Sequence, residues 1–130
     1  RQRQMCIRDR YKINGLIISN TTEKNREKLT DKKKMETGGL SGLPLQQRST
    51  LMIKKFYRLI KNRIPIIGVG GVDSGESALE KIFYGATAVQ LYTGMVYKGP
   101  TIVKQIKQEM LEILGKENIK NLKDIVGTKS

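Results

Sequence analysis

The stretch Pro65-Ile66-Ile67-Gly68-Val69-Gly70-Gly71-Val72-Asp73-Ser74-Gly75-Glu76-Ser77-Ala78-Leu79 decides how this chain folds. Ile66, Ile67 and Val69 form a short β-branched run without polar alternation, the pattern of a strand buried on both faces of a parallel sheet. The run ends in Gly70-Gly71, where the missing side chains permit a sharp turn, and Asp73 with Glu76 reads as a capping box opening a helix. That helix carries Ala78, Leu79, Ile82 and Phe83 on its inner face and stops at Gly85. Strand, glycine turn and helix make one βα unit, and the sequence on either side repeats it.

Upstream, Ile13, Leu16, Ile17 and Ile18 form an apolar run that fits a strand buried on both faces and breaks into Ser19-Asn20-Thr21-Thr22. Residues 23–37 are lysine-rich with little apolar content and predict a long loop or lid, which ends at Gly38-Gly39-Leu40-Ser41-Gly42. Met52, Phe56, Leu59 and Ile60 then recur at helical spacing between Ser49-Thr50, read as caps, and Asn62. Downstream, Ala88 to Tyr92 is a third strand. Gly99-Pro100 opens a helix with the stripe Ile102, Val103, Ile106, Met110, Ile113 and Leu114, which ends at Gly115; a short tail helix spans Leu122 to Val126. The fold class is therefore α/β, as three consecutive βα units.

Composition narrows what such units can do. The chain has 130 residues, against about 250 for a closed (β/α)8 barrel. No histidine is present and Cys6 is the single cysteine, so a Ser-His-Asp or Cys-His site, an internal disulfide and the commonest zinc ligand are excluded from these residues, and no metal is expected. The net charge of +13 raises the question of nucleic acid. Its distribution argues against a binding stripe: Arg1, Arg3, Arg8 and Arg10 crowd one end, Lys24 to Lys34 interleave with Glu23, Glu27 and Asp31, and the rest spreads over helix faces. Residues 1–10 lack any clean period and read as a non-native leader, which puts the folded region at 11–130.

In parallel α/β folds ligands bind beyond the carboxyl ends of the strands. After the first strand come Ser19, Asn20 and Thr21, short donors and acceptors suited to a planar polar ligand. After the second comes Gly70-Gly71, whose backbone N–H groups can approach an anion at a helix N-terminus. After the third come Tyr92, Thr93 and Gly94, again just ahead of a helix. Each signal also reads as ordinary turn chemistry. Their placement on three successive strand ends favours a phosphate-binding barrel.

These residues carry a resemblance. Gly15-Leu16-Ile17-Ile18-Ser19-Asn20-Thr21-Thr22, Glu36-Thr37-Gly38-Gly39-Leu40-Ser41-Gly42-Leu43-Pro44-Leu45, Ser49-Thr50, Pro65 to Val72 with Ser74-Gly75, Gly85-Ala86, Val89-Gln90-Leu91-Tyr92-Thr93-Gly94 and Gly99-Pro100 together resemble the C-terminal part of the dihydroorotate dehydrogenases. Ser41-Gly42-Leu43-Pro44-Leu45 with Gly68-Val69-Gly70-Gly71 is closer to the quinone-linked class 2 than to the soluble class 1. The resemblance runs from Tyr11 to the end and implies the last three βα units of a (β/α)8 TIM barrel.

The resemblance further implies oxidation of dihydroorotate to orotate in pyrimidine biosynthesis, with FMN as cofactor and a quinone as acceptor. By similarity Asn20 and Thr21 bind the substrate, Ser19 lies against the flavin, and Gly42, Gly71, Tyr92 and Thr93 hold FMN with Gly70 and Gly94 on the phosphate side. The family's catalytic base, a serine in class 2, its flavin-side lysine and its quinone-facing helices belong to an earlier region with no match here. No catalytic residue is therefore assigned, and the isolated 130 residues are expected neither to retain FMN nor to turn over dihydroorotate. Class 2 relatives imply association with the inner mitochondrial or bacterial cytoplasmic membrane. Two alternatives remain open: another FMN-dependent barrel, of the kind that oxidises 2-hydroxy acids or IMP, and a basic interaction module using residues 23–37 as a contact arm.

Overall fold

A computed structural model describes residues 12–24, 26, 29–32, 34–60 and 62–130. The leader expected at 1–10, the single cysteine in it and the expected boundary at Tyr11 lie outside the described residues. Three strands, β1 (Leu16–Ile18), β2 (Ile66–Val69) and β3 (Ala88–Gln90), form a parallel sheet in the order β1-β2-β3. Leu16 pairs with Ile66, Ile17 with Ile67 and Ile18 with Gly68; on the other side Ile67 pairs with Ala88 and Val69 with Gln90. Sequential strands that lie side by side in parallel are what βα units produce, because each helix must carry the chain back along the sheet.

The helices are α1 (Gln46–Ile60), α2 (Gly75–Phe83), α3 (Thr93–Lys98) and α4 (Ile102–Lys116), with 3-10 turns at Leu43–Leu45 and Leu122–Ile125. Ile18, Ile53, Ile60, Ile64, Ile66 and Ala86 form the core between α1 and the sheet. Val72, Ala78, Ile102 and Ile106 seal α2 against α4, and Leu79, Ile82, Leu114 and Ile125 continue that contact to the tail. Burial of these side chains, about 1.5–3 kcal/mol for each Val, Leu or Ile, is the main force holding helices to sheet. Beyond the last 3-10 turn the tail packs on the far end of α2. Gly127 N–H donates to Ile82 O at 3.1 Å and Lys129 N–H to Phe83 O at 2.9 Å.

Several expectations are corrected. Ser49 and Thr50 do not cap α1. The helix begins at Gln46, following the turn that Pro44 opens, and both hydroxyl residues are buried inside it. Its inner face is correspondingly Ser49, Thr50, Ile53 and Ile60, with Met52 and Phe56 half-buried at the margin, because buried hydroxyls with partners occupy the stripe as well as aliphatics do. The box that opens α2 is Ser74 with Ser77, not Asp73 with Glu76: the Ser74 hydroxyl accepts from Ser77 N–H at 3.2 Å and Ser77 Oγ accepts from Ser74 N–H at 3.1 Å.

The strand ends also differ from expectation. β3 stops at Gln90, and α3 intervenes before Gly99-Pro100. Gly115 lies inside α4, which ends one residue later ahead of Asn118 at φ 55°. The sheet is covered on one face by the helices. On the other face Ile17, in register with Ile67 and Ala88, is 65% exposed, so β1 is not buried on both sides. Among the described residues of 23–37 there is neither helix nor strand, as the composition indicated. The base of that loop closes through an antiparallel bridge between Thr22 and Leu40, and Arg26 donates to the carbonyls of Lys34, Glu36 and Gly38.

Candidate functional site

At the carboxyl end of the sheet the three strand-end loops surround a cavity of about 770 Å³, within the range of small-molecule sites. Every residue placed at a site from sequence lines it: Ser19, Asn20 and Thr21 from β1, Gly70 and Gly71 from β2, Tyr92, Thr93 and Gly94 from β3, and Gly42 from the end of the long loop. Leu43, Leu45, Val69 and Leu91 supply apolar wall between the polar points.

Backbone geometry explains why glycine is needed at the second strand end. Gly70 has φ 107° and Gly71 φ 73°, left-handed conformations that side chains resist. A Cβ on Gly71 would lie 2.6 Å from Cα and 2.8 Å from N of Gln46, so the turn is pressed directly against the first residue of α1. The polar groups around it are oriented by the fold. Ser19 N–H donates to Val69 O at 3.2 Å, which ties the end of β1 to the residue before the glycine turn. Asn20 Oδ1 accepts from Thr21 N–H at 2.8 Å, and Thr93 Oγ donates to Ser41 Oγ at 3.0 Å across the cavity mouth. Tyr92 is 78% exposed there, because β3 has already ended.

One expectation about electrostatics is corrected. The N-terminus of α2 is not open to an anion at Gly70-Gly71. It begins four residues later, at Gly75, whose N–H donates to Glu109 Oε2 at 2.6 Å, while Ser77 N–H is taken by Ser74. The Gly75 N–H and the Gln105 amide together hold the Glu109 carboxyl below the usual carboxylate range. Backbone donors for an anion would therefore come from the glycine turn and from the first residues of α3, where helical hydrogen bonding begins only with Met95 and Val96 donating to Tyr92 O.

Two lysines escaped sequence reasoning. Lys98 lines the cavity and is held beside Asp73, with Nζ donating to Asp73 O at 3.0 Å and lying 3.6 Å from Oδ2. Its signal was only its position six residues past the third strand's conspicuous Tyr92. Lys81 lies behind the cavity and is fully buried; burial pushes its ammonium down to about 8, partly opposed by Glu80. Nothing in the sequence separates it from the solvent-facing lysines of the other helices except its place beside the apolar stripe.

Comparison with known proteins gives the following. A family model described as Dihydroorotate dehydrogenase matches residues 2–114. Over 125 residues the chain is 48% identical to dihydroorotate dehydrogenase (quinone) of Trichodesmium erythraeum, covering 90% of this chain and 33% of the relative. It is 47% identical over 116 residues to the mitochondrial dihydroorotate dehydrogenase (quinone) of Arabidopsis thaliana, covering 88% and 25%. The ligand-free DHODH of Eimeria tenella superposes with a TM-score of 0.90 at 38% identity, over 95% of this chain and 34% of that one. The chain thus spans about a quarter to a third of the relatives it matches.

Proposed function

We infer from one premise, that this chain belongs to the dihydroorotate dehydrogenase family, that it provides part of the site at which dihydroorotate is oxidised to orotate with a quinone as final acceptor. The observation that carries this reading is the convergence of Ser19 to Thr21, Gly70-Gly71 and Tyr92 to Gly94 on one cavity at the strand ends. The family's cofactor, FMN, fits the residues present: a turn where a Cβ would collide with α1, hydroxyls at the mouth and apolar walls suit a phosphate-bearing planar ligand. When bound, FMN supplies the hydride acceptor.

The chain's own residues have these roles. Gly70, Gly71, Thr93 and Gly94 offer backbone N–H groups, and Thr93 a hydroxyl, to the phosphate; Gly42 and Tyr92 border the same ligand. Ser19 lies against the flavin. Asn20 and Thr21 bind the substrate's polar edge, the Asn20 carboxamide being fixed by its bond from Thr21 N–H. The proton at C5 is taken by a base that this chain does not supply. Relatives named mitochondrial and bacterial quinone enzymes support a membrane-associated setting, although no helix among the described residues is long and apolar enough to cross a membrane.

A chimera tests the reading. The matched C-terminal segment of the Trichodesmium erythraeum relative is replaced by residues 12–130 of this chain, and flavin absorbance and orotate formation are measured. Retained FMN and turnover are expected, with N20A lowering kcat/KM for dihydroorotate by at least tenfold while flavin stays bound. A chimera that folds without flavin would refute the assignment. The 130 residues alone are expected to hold no stoichiometric flavin.

A further inference from the structure

A fully buried lysine stands one layer behind the cavity. Lys81 Nζ donates to Ser49 Oγ at 3.2 Å, to Thr50 Oγ at 3.2 Å and to Gln46 O at 3.5 Å. All three acceptors are neutral oxygens on the first turns of α1. Ser49 passes its own hydrogen on to Val69 O, the carbonyl immediately before the glycine turn. The same carbonyl receives Ser19 N–H from β1. Lys81, the Ser49 hydroxyl and the Val69 carbonyl therefore form a directed chain from α2 through α1 to β2, and Ser19 hangs from its far end.

The second branch acts on the glycine turn itself. Gly71 packs on the backbone of Gln46, whose carbonyl Lys81 holds from behind and whose side chain donates to Glu80 Oε2 at 3.1 Å. The dipeptide Glu80-Lys81 thus grips the first residue of α1 on two sides. We propose that Lys81 is a positioning residue for the cavity: it fixes the first turns of α1 so that Val69 O, Gly70-Gly71 and Ser19 are held in one arrangement.

An aliphatic residue of similar length would fill the same volume without the cost of burying a charge, and such replacements are often neutral or stabilising. That burial lowers the pKa of Lys81 to about 8 measures the cost of keeping it. A chain of hydrogen bonds starting from a cation polarises each successive bond, which a purely apolar contact cannot do. That the turn so fixed serves a phosphate rests on the function proposed above; the positioning itself does not.

Nitrogen-15 relaxation on the full chain tests it, in an I17K background that removes the exposed apolar side chain on the open sheet face, comparing the parent with K81M and with S49A, which keeps the lysine but cuts the chain. Amide order parameters at Ser19, Gly70 and Gly71 are expected to fall from about 0.85 to below about 0.6 in both variants, with Ala78 to Ile82 unchanged. Unchanged values at these three amides in S49A, or a loss in K81M spread evenly over α2 and the sheet, would overturn the proposal; should K81M fail to fold, S49A decides. Titration with inorganic phosphate provides a second arm. It is expected to shift Gly70 and Gly71 in the parent and to bind at least fivefold more weakly to K81M; equal binding counts against Lys81. If phosphate moves neither amide in the parent, the anion-site reading fails, and the order parameters still judge the positioning role.

Discussion

Gly71 shows how a single position constrains the site. At φ 73° and in contact with the Gln46 backbone, it has no room for a methyl group, and the neighbour cannot give way because it is main chain. G71A is expected to cost ~2 kcal/mol or more, read as a drop in the urea midpoint. Lys81 gives a different signature. Its folded-state pKa of about 8 lies below the ordinary 10.5, so the unfolded chain binds more protons between these values, and stability must rise with pH across that window. The full penalty, about 3 kcal/mol, is present below pH 8. K81M should remove the slope between pH 8 and 10.5 and match or exceed the parent's stability at pH 7. The sequence announced Gly71 through the doubled glycine after a strand. It could not announce Lys81, whose burial depends on the Ser49 and Thr50 hydroxyls that α1 brings to it.

Among the elements, α2 depends on a neighbour for its start. The Gly75 N–H, buried at the helix entrance, is satisfied by Glu109 from α4. E109A should cost ~1–2 kcal/mol. Because the Glu109 pKa is depressed in the folded state, that contribution is present above the ordinary carboxylate value and disappears as pH falls through the folded one, so the midpoints of E109A and the parent should converge in acid. The existence, type and order of the strands and main helices were legible, since apolar periodicity and glycine punctuation survive in any context. The ends were not. Helix α1 starts at Gln46 rather than beyond Ser49-Thr50 because a buried ammonium, far away in sequence, makes two hydroxyls acceptable inside the helix. The Ser74-Ser77 box prevailed over Asp73-Glu76 through one reciprocal pair of hydroxyl bonds that spacing alone does not reveal. Helix α3 was invisible because six residues are too few to display a period.

At the scale of the molecule the sheet is asymmetric. Helices α1 and α2 cover the face bearing Ile18, Ile66 and Gly68, whereas Ile17, Ala88 and Gln90 on the opposite face are exposed. An apolar sheet face open to water is prone to association. The 130 residues are expected to self-associate at micromolar concentration, and I17K should lower the mass found by light scattering without lowering the urea midpoint. The cavity sits at one end of this sheet, and the convergence of its loops was legible because each strand end carried a distinct polar or glycine signature. The far end belongs to the tail: Lys129 N–H bonds to Phe83 O, Lys54 Nζ donates to Lys129 O at 3.1 Å, and the Lys129 ammonium lies 4.3 Å from the centre of the Phe83 ring. A linker fused after Ser130 therefore leaves from the end of the fold opposite the cavity. Anchored through it to a sensor chip or resin, the protein would present its ligand-facing loops outward and unobstructed.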